Sequence, residues 1–237
     1  MNAYLSLTEY QVVVDQRSED IDTERKADEI HLKLPSIPTG FTLDKSWSAK
    51  FQGFSESISS RLSSIILGWS EPSVAAAIAS ELPHNSTIFI ASSRPIRDVE
   101  AFATPREGIE SFANRGLAGI DGNISTAYGI ALMRKNTYAI LGDLAFLHDI
   151  NGLLIGADEK SANLTIIVIS NDGGGIFSTL PQRDVPGFEK IFGTPHNLDV
   201  ESVIRGFGYS VEKVKTVSDL TRALHRSGLH FVIVEVP

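Results

Sequence analysis

From about Ser70 onwards, short uninterrupted apolar runs alternate with segments of helical pattern. Four runs are rich in β-branched and aromatic residues, as is typical of buried strands: 86–91, 137–141, 164–170 and 231–236. The segments that predict helices are 71–82, 123–134, 144–158, 200–206 and 218–226. Strands that are apolar on both faces need helices on both sides, and the alternation favours parallel pairing. The sequence therefore predicts an α/β fold, a doubly wound parallel sheet with helices on both faces.

The first part of the chain does not follow this alternation. A strand is predicted within 5–14, and the prolines and glycine of 35–40 break regular structure. The acidic stretch 15–29 is either a solvated loop or an acidic binding surface. Apolar residues then recur every three or four positions over 47–65, which predicts an amphipathic helix packing against another element. We expect 1–69 to be the end of a domain.

The composition excludes several functional classes. None of the 237 residues is cysteine, which excludes disulfides, thiolate metal sites, iron-sulfur clusters and a cysteine nucleophile. The 21 Lys and Arg against 29 Asp and Glu give a net charge of −8, the wrong sign for a nucleic-acid-binding protein. No uncharged apolar run reaches the ~18 residues of a membrane span, and the N-terminus lacks the pattern of a signal peptide. We therefore expect a cytoplasmic protein with no nucleic-acid partner.

Polar residues follow two of the predicted strands at the point where each strand ends. Gly142-Asp143 follows one strand, and Asn171-Asp-Gly173 follows the next. Asp143 and Asn171 are 28 residues apart, the length of one helix and one strand, so both return to the same edge of a parallel sheet. A carboxylate, an amide oxygen and a main-chain carbonyl form an oxygen set that suits Mg²⁺ or Ca²⁺. The same pattern also occurs where such residues only cap the ends of strands.

These residues resemble the motif that binds thiamine diphosphate (ThDP). The resemblance implies that the side chains of Asp143 and Asn171 and the backbone oxygen of Gly173 bind Mg²⁺ or Mn²⁺, which in turn holds the diphosphate of the cofactor. The motif usually has two successive asparagines, and Ser170 stands here in place of the first. Because the second asparagine is the ligand, the serine at position 170 leaves the ligand set intact. It changes only a contact made to the ligands by a neighbouring residue.

Four ordered segments extend the resemblance: 93–98, 114–122, 142–151 and 172–181. Together they resemble the MenD family, the 2-succinyl-5-enolpyruvyl-6-hydroxy-3-cyclohexene-1-carboxylate (SEPHCHC) synthases of menaquinone biosynthesis. The similarity implies that 70–237 is the ThDP diphosphate-binding domain and that 1–69 is the C-terminal remnant of the central domain. It implies a homo-oligomeric, homodimeric transferase that uses ThDP and Mg²⁺ to decarboxylate 2-oxoglutarate and to add the resulting succinyl unit to isochorismate.

The resemblance also assigns individual residues. It implies cofactor contacts at Ile120, Gly142, Asp143, Leu144, Asn171, Gly173 and Ile176. It implies substrate contacts at Ser93, Arg97, Arg115, Phe177 and Leu180. Both substrates carry carboxylates, which a guanidinium binds through two parallel hydrogen bonds. In the alternative interpretation, each arginine pairs with a neighbour such as Asp98 or Asp121, and the apolar residues of both sets only pack in the core.

Other patterns give weaker signals. His148, on the helix after Asp143, fits a general base, but an ordinary packed or solvated residue is the favoured interpretation. Gly116, Gly119 and Gly122 form a GxxGxxG string and not the GxGxxG of dinucleotide-binding proteins, and there is no GxxxxGK[ST] segment. The sequence therefore gives little support to a Rossmann enzyme and none to a P-loop enzyme.

We expect no catalytic residue in this chain. In the MenD family a glutamate on a separate pyrimidine-binding domain activates the cofactor, and 1–69 is too short to hold that domain. A Lys-Arg pair of the central domain has no counterpart either, so the chain alone is expected to be inactive. The alternatives are another ThDP-dependent carboligase or decarboxylase, which Asn114-Arg115-Gly116 and Ile176-Phe177 disfavour, and a non-catalytic α/β binding module.

Overall fold

The computed structural model describes residues 7–17, 26–42, 44–66, 68–114 and 119–236. The chain divides into two compact units, Met1–Glu56 and Ser57–Pro237. Among the helices of the described residues, none combines the length and the apolar character that crossing a membrane requires.

The first unit contains a pair of short parallel strands. They are β1 (Val12–Val14) and β2 (Glu29–His31), with Val13 opposite Ile30. β1 lies within the predicted strand, whereas β2 begins at the last residue of the acidic stretch, where no strand is predicted. Residues 18–25 of that stretch lie outside the described part of the chain, so the choice between a loop and an acidic surface is not tested.

The predicted amphipathic helix is present as α1 (Lys45–Ile65). Its apolar residues are nevertheless open to solvent: more than half of the surface is exposed in each of Trp47, Phe51, Phe54 and Ile58. The rings of Trp47 and Phe51 contact each other, with centroids 4.3 Å apart. The predicted packing of this face against another element is therefore not found at these four residues.

The second unit is built on a six-stranded, fully parallel sheet. Its strands are β3 (Ser86–Ile90), β4 (Ile109–Phe112), β5 (Thr137–Gly142), β6 (Leu164–Ser170), β7 (Val211–Val214) and β8 (His230–Glu235). Their order across the sheet is β4-β3-β5-β6-β8-β7. The central strands β5 and β6 are neighbours, with Gly142 opposite Ile169, so the chain leaves both strands at the same edge.

Helices cover both faces of this sheet. They are α2 (Glu71–Glu81), α3 (Arg94–Phe102), α4 (Asn123–Met133), α5 (Asp143–His148), α6 (Val200–Gly206) and α7 (Val217–Leu224). One apolar core lies beneath α2 and α7 and includes Ile78 and Leu220. The other lies beneath α4, α5 and α6 and includes Ile124 and Phe146. The predicted doubly wound α/β fold is confirmed.

The prediction of one long helix over 144–158 is wrong. Only α5 forms there, followed by a short 3₁₀ turn at Ile150–Leu153. Asp149 separates the two, and its carboxylate accepts hydrogen bonds from the backbone N–H groups of Ile124 at 2.6 Å and Ser125 at 3.2 Å. Those groups lie at the start of α4 and have no partner within their own helix. A contact distant in sequence therefore overrides the local helical pattern.

Asp149→Ala is expected to lower the free energy of unfolding by about 1–2 kcal/mol, because the start of α4 loses its carboxylate acceptor. Urea denaturation measures this change. Asp158→Ala removes an exposed aspartate from a nearby turn and serves as the control, with an expected change of less than about 0.5 kcal/mol. Equal stability of the two variants would show that water replaces the carboxylate without loss.

Candidate functional site

The loops after β5 and β6 meet beside the start of α3 and form a cleft of about 390 Å³. The predicted cofactor and substrate residues that line it are Ser93, Arg97, Ile120, Gly142, Asp143, Leu144, Asn171, Gly173, Ile176 and Phe177. Two predicted residues are not among them. Arg115 lies outside the described residues, and Leu180, which follows the turn Gly175–Thr179, does not line the cleft.

Asp143 joins the two loops. Its side chain is 1% exposed, and its Oδ2 accepts hydrogen bonds from the backbone N–H groups of Asn171 at 3.1 Å and Gly173 at 3.2 Å. Its Oδ1 accepts a third, from the N–H of Leu144 at 2.7 Å. A buried carboxylate needs such donors, because it has lost the water that would otherwise solvate its charge. The three predicted metal ligands thus form one hydrogen-bonded cluster.

His196 lies behind this carboxylate, and no sequence pattern predicts it. Its largely buried ring places Nε2 3.3 Å from Asp143 Oδ2, without the geometry of a hydrogen bond. Its Nδ1 accepts the N–H of Leu198 at 3.0 Å, so in the neutral ring the proton is on Nε2. Asp172 holds this segment in place, since its Oδ1 accepts the N–H of His196 at 3.2 Å. His196 reaches Asp143 because the loop after β6 packs against the later segment that contains His196.

The side chain of Asn171 is held by Glu71. Asn171 Nδ2 donates to Glu71 Oε1 at 2.8 Å, and Glu71 Oε2 lies 3.1 Å from Arg94 Nε. The pKa of Glu71 is raised above its ordinary value, because burial and the neighbouring Asp98 carboxyl raise it more than the hydrogen bond from Asn171 and the charge of Arg94 lower it. From sequence, Glu71 is only the first residue of a helix. Its contact with Asn171 leaves Asn171 Oδ1 available to a ligand.

The glycine run after Asn171 lets the backbone approach the segment that follows it closely. Gly173 has φ +144°, and a Cβ built on it would overlap the carbonyl oxygen of Gly193. A Cβ on Gly174 would overlap the carbonyl oxygen of Phe192, and the N–H of Gly174 donates to Gly193 O at 2.6 Å. Only glycine fits these positions without movement of the backbone.

The donor atoms suit a hard divalent cation. The Asp143 carboxylate, Asn171 Oδ1 and the Gly173 carbonyl are all oxygens, and Mg²⁺ and Mn²⁺ prefer such ligands together with phosphate oxygens. The Gly173 carbonyl accepts the N–H of Gly175 at 3.1 Å and retains a second lone pair. The described residues contain no group of three or more His, Cys, Asp or Glu side chains placed to hold a metal. A cation here therefore requires the mixed set, which fits the metal and diphosphate that the sequence motif implies.

Arg97 does not make the ion pair that the alternative interpretation assigns to it. Its exposed side chain donates from Nη1 to the carbonyl of Ser93 at 2.7 Å, whereas Asp98 pairs with Arg94 at 3.1 Å. Ser93 itself has φ +76°, a left-handed conformation that is uncommon for residues other than glycine. The described ion pairs thus leave the guanidinium of Arg97 without a carboxylate partner beside the cleft.

Apolar side chains form one wall of the cleft. Ile120 is 38% exposed, and Ile176 and Phe177 are half-buried, so none of the three belongs to the buried core. The Phe177 ring packs on that of Phe192, with centroids 5.5 Å apart. His148, by contrast, is exposed at the end of α5 and does not line the cleft.

A family model matches residues 98–236, more than half of the chain, and describes the C-terminal TPP binding domain of thiamine pyrophosphate enzymes. The chain belongs to the thiamine pyrophosphate enzyme family. Thiamine pyrophosphate is another name for ThDP, and the matched region includes both loops that Asp143 joins.

Curated relatives agree with this family. The chain is 48% identical to the SEPHCHC synthase of Thermobifida fusca (strain YX) over 170 residues, which cover 70% of the chain and 31% of that protein. It is 36% identical to the same synthase of Corynebacterium glutamicum (strain R) over 239 residues, covering 93% of the chain and 44% of that protein. The resemblance to the C-terminal part of the MenD family is confirmed. The chain spans less than half the length of these relatives.

Solved structures match the fold. A ThDP-dependent enzyme from Mycobacterium smegmatis aligns with a TM-score of 0.53 at 21% identity, covering 71% of this chain and 32% of its own. The benzoylformate decarboxylase of Polynucleobacter necessarius aligns with the same score and identity, covering 70% and 32%. At this level of identity the likeness extends to the α/β architecture alone.

Proposed function

We propose that the chain supplies the ThDP-anchoring half of the active site of a SEPHCHC synthase. The observation that carries the proposal is the pair of hydrogen bonds from the N–H groups of Asn171 and Gly173 to Asp143 Oδ2. These bonds gather the three ligands that the family motif requires. The similarity to curated SEPHCHC synthases supports this activity over other ThDP-dependent reactions.

In this proposal Asp143 and Asn171 hold Mg²⁺ or Mn²⁺ through their side chains, and Gly173 does so through its carbonyl. ThDP supplies the nucleophilic carbon and the electron sink that decarboxylation of a 2-oxo acid requires. Gly142 and Leu144 lie against the cofactor where β5 ends. Ile120 supports the bent conformation of the cofactor.

The remaining cleft residues bind and shield the substrates. Arg97, Arg115 and Ser93 bind the carboxylates of 2-oxoglutarate and isochorismate, and the absence of a carboxylate partner for Arg97 among the described ion pairs supports this role. Ile176 and Phe177 exclude water from the reacting carbon, an environment that favours a neutral intermediate over a charged one. Leu180 contributes to the substrate site from just outside the cleft.

We also propose the assembly that this function requires. Residues 70–237 form the diphosphate-binding domain, and 1–69 belongs to the end of the central domain. The complete site forms in a cytoplasmic homodimer, with the proton-relaying glutamate supplied by a pyrimidine-binding domain.

The 237-residue chain with ThDP and Mg²⁺ is expected to release no CO₂ from 2-oxoglutarate. When it replaces the matching C-terminal part of the C. glutamicum synthase, the chimaera is expected to consume 2-oxoglutarate and isochorismate. CO₂ release and the formation of the coupled product measure this. A chimaera that accepts only pyruvate would favour another carboligase, and turnover by the isolated chain would contradict the proposed division of the site.

A further inference from the structure

We propose that Glu71 is a positioning residue that fixes the orientation of the Asn171 amide, so that Oδ1 and not Nδ2 faces the cation. The inference rests on the proposed metal site and assigns a role to a residue outside the ThDP motif. Glu71 lies on α2, and its contact with Asn171 joins residues that are 100 positions apart.

The chemistry of the contact selects one orientation. The two ends of an amide are nearly identical in size, but one donates hydrogen bonds and the other accepts them. The Oε1 atom of Glu71 accepts a hydrogen bond at 2.8 Å and therefore pairs with the amino end of Asn171, Nδ2. A flipped amide would place two oxygens against each other. Oδ1 is therefore directed away from Glu71.

Arg94 faces the other oxygen of Glu71. Arg94 Nε lies 3.1 Å from Glu71 Oε2 and 3.1 Å from Asp98 Oδ2, and the Glu71 side chain is only 12% exposed. This ion pair involves Glu71 Oε2 and leaves Oε1 for Asn171. Ser70 and Ser73 cap the start of α2 and fix Glu71 at its first helical position.

The backbone leaves little space for a different arrangement. A Cβ built on Gly175 would lie 2.5 Å from Asn171 Nδ2 and 3.6 Å from Glu71 Oε1. The glycine loop thus closes over the contact between the two side chains. The amide is confined between Glu71, the loop and the proposed cation position.

Glu71→Gln distinguishes a role in orienting the amide from a role in packing alone. The new side chain has nearly the same shape, but its oxygen faces Arg94 and its NH₂ group faces Asn171. That NH₂ group selects the flipped amide, which turns Asn171 Nδ2 towards the cation. We expect Mn²⁺ affinity of the 237-residue chain at saturating ThDP to fall 10–100-fold, measured by electron paramagnetic resonance of free Mn²⁺.

A second substitution restores binding if the orientation is what matters. In the Glu71→Gln/Asn171→Asp variant, the carboxylate introduced at 171 has an oxygen on each side and cannot be misoriented. We expect most of the lost Mn²⁺ affinity to return. Glu100→Gln, at an exposed glutamate of α3, is the matched control and is expected to bind as the parent chain does.

The outcomes separate this inference from the proposed function. Wild-type affinity in Glu71→Gln, or no recovery in the double variant, overturns the role of Glu71 while the metal site stands. Absence of saturable Mn²⁺ binding by the parent chain with ThDP overturns both. The unfolding midpoints of the parent chain and the variants, measured without metal or ThDP, show whether the substitutions affect the fold. If Glu71→Gln lowers the midpoint, recovery of affinity in a double variant with the same measured midpoint still reports the orientation.

Discussion

Asp143→Ala is expected to abolish the heat of ThDP and Mg²⁺ binding, with a loss of affinity of at least about 100-fold. The substitution removes a proposed metal ligand and also the acceptor of three backbone N–H groups, on Leu144, Asn171 and Gly173. These donors are partly buried, and leaving them without an acceptor costs up to about 1–3 kcal/mol each, which favours separation of the two loops. Isothermal titration calorimetry of the chain with ThDP in the presence of Mg²⁺ measures the effect.

Asp158→Ala is the matched control, because it removes the same side chain from an exposed turn. It is expected to give the heat of the parent chain. If neither the parent chain nor Asp143→Ala gives any heat, Asp143 only joins the two strand ends, as in a non-catalytic α/β module. Equal binding heats in both proteins would place the metal elsewhere.

Gly173→Ala is expected to lower the free energy of unfolding by about 3 kcal/mol and to remove ThDP binding. The new methyl group would overlap the carbonyl oxygen of Gly193, and φ +144° is itself unfavourable for alanine. Relief of the overlap moves the Gly173 carbonyl, which is one of the proposed metal ligands. Urea denaturation and the same calorimetric titration measure the two effects.

Gly206→Ala is the control, and its expected effect on stability is neutral or opposite to that of Gly173→Ala. Gly206 ends α6, and a Cβ there meets nothing within 4 Å. Stability is expected to stay the same or to rise by up to about 1 kcal/mol, since alanine favours helix over glycine. If Gly173→Ala is as stable as Gly206→Ala, the loop after β6 adapts without strain, and its glycines have another purpose.

The centre of the fold could be predicted because its strands are buried on both faces. β5 and β6 consist almost wholly of apolar residues, a pattern that is typical of short strands buried on both faces. The edge strands β4 and β7 escaped prediction because each is four residues long with only two apolar positions. The extent of α5 could not be predicted, because Asp149 leaves the helix to bind a segment distant in sequence.

The same distinction applies to the candidate site. Asp143, Asn171 and Gly173 are predictable, since consecutive parallel strands bring their ends to one edge of the sheet. Glu71 and His196 are not, because their positions depend on how α2 and the segment after the glycine loop pack against that edge. A sequence pattern records neighbours along an element and does not record contacts between elements.

The buried position of Asp143 has a consequence for how the enzyme acquires its cofactor. The carboxylate fastens the two loops through the chain's own N–H groups, so the receptor is assembled by folding itself. A preassembled receptor loses little conformational freedom when it is filled. Under the proposed function, filling this half of the site then requires diffusion and removal of water from the ion, without rearrangement of the two loops.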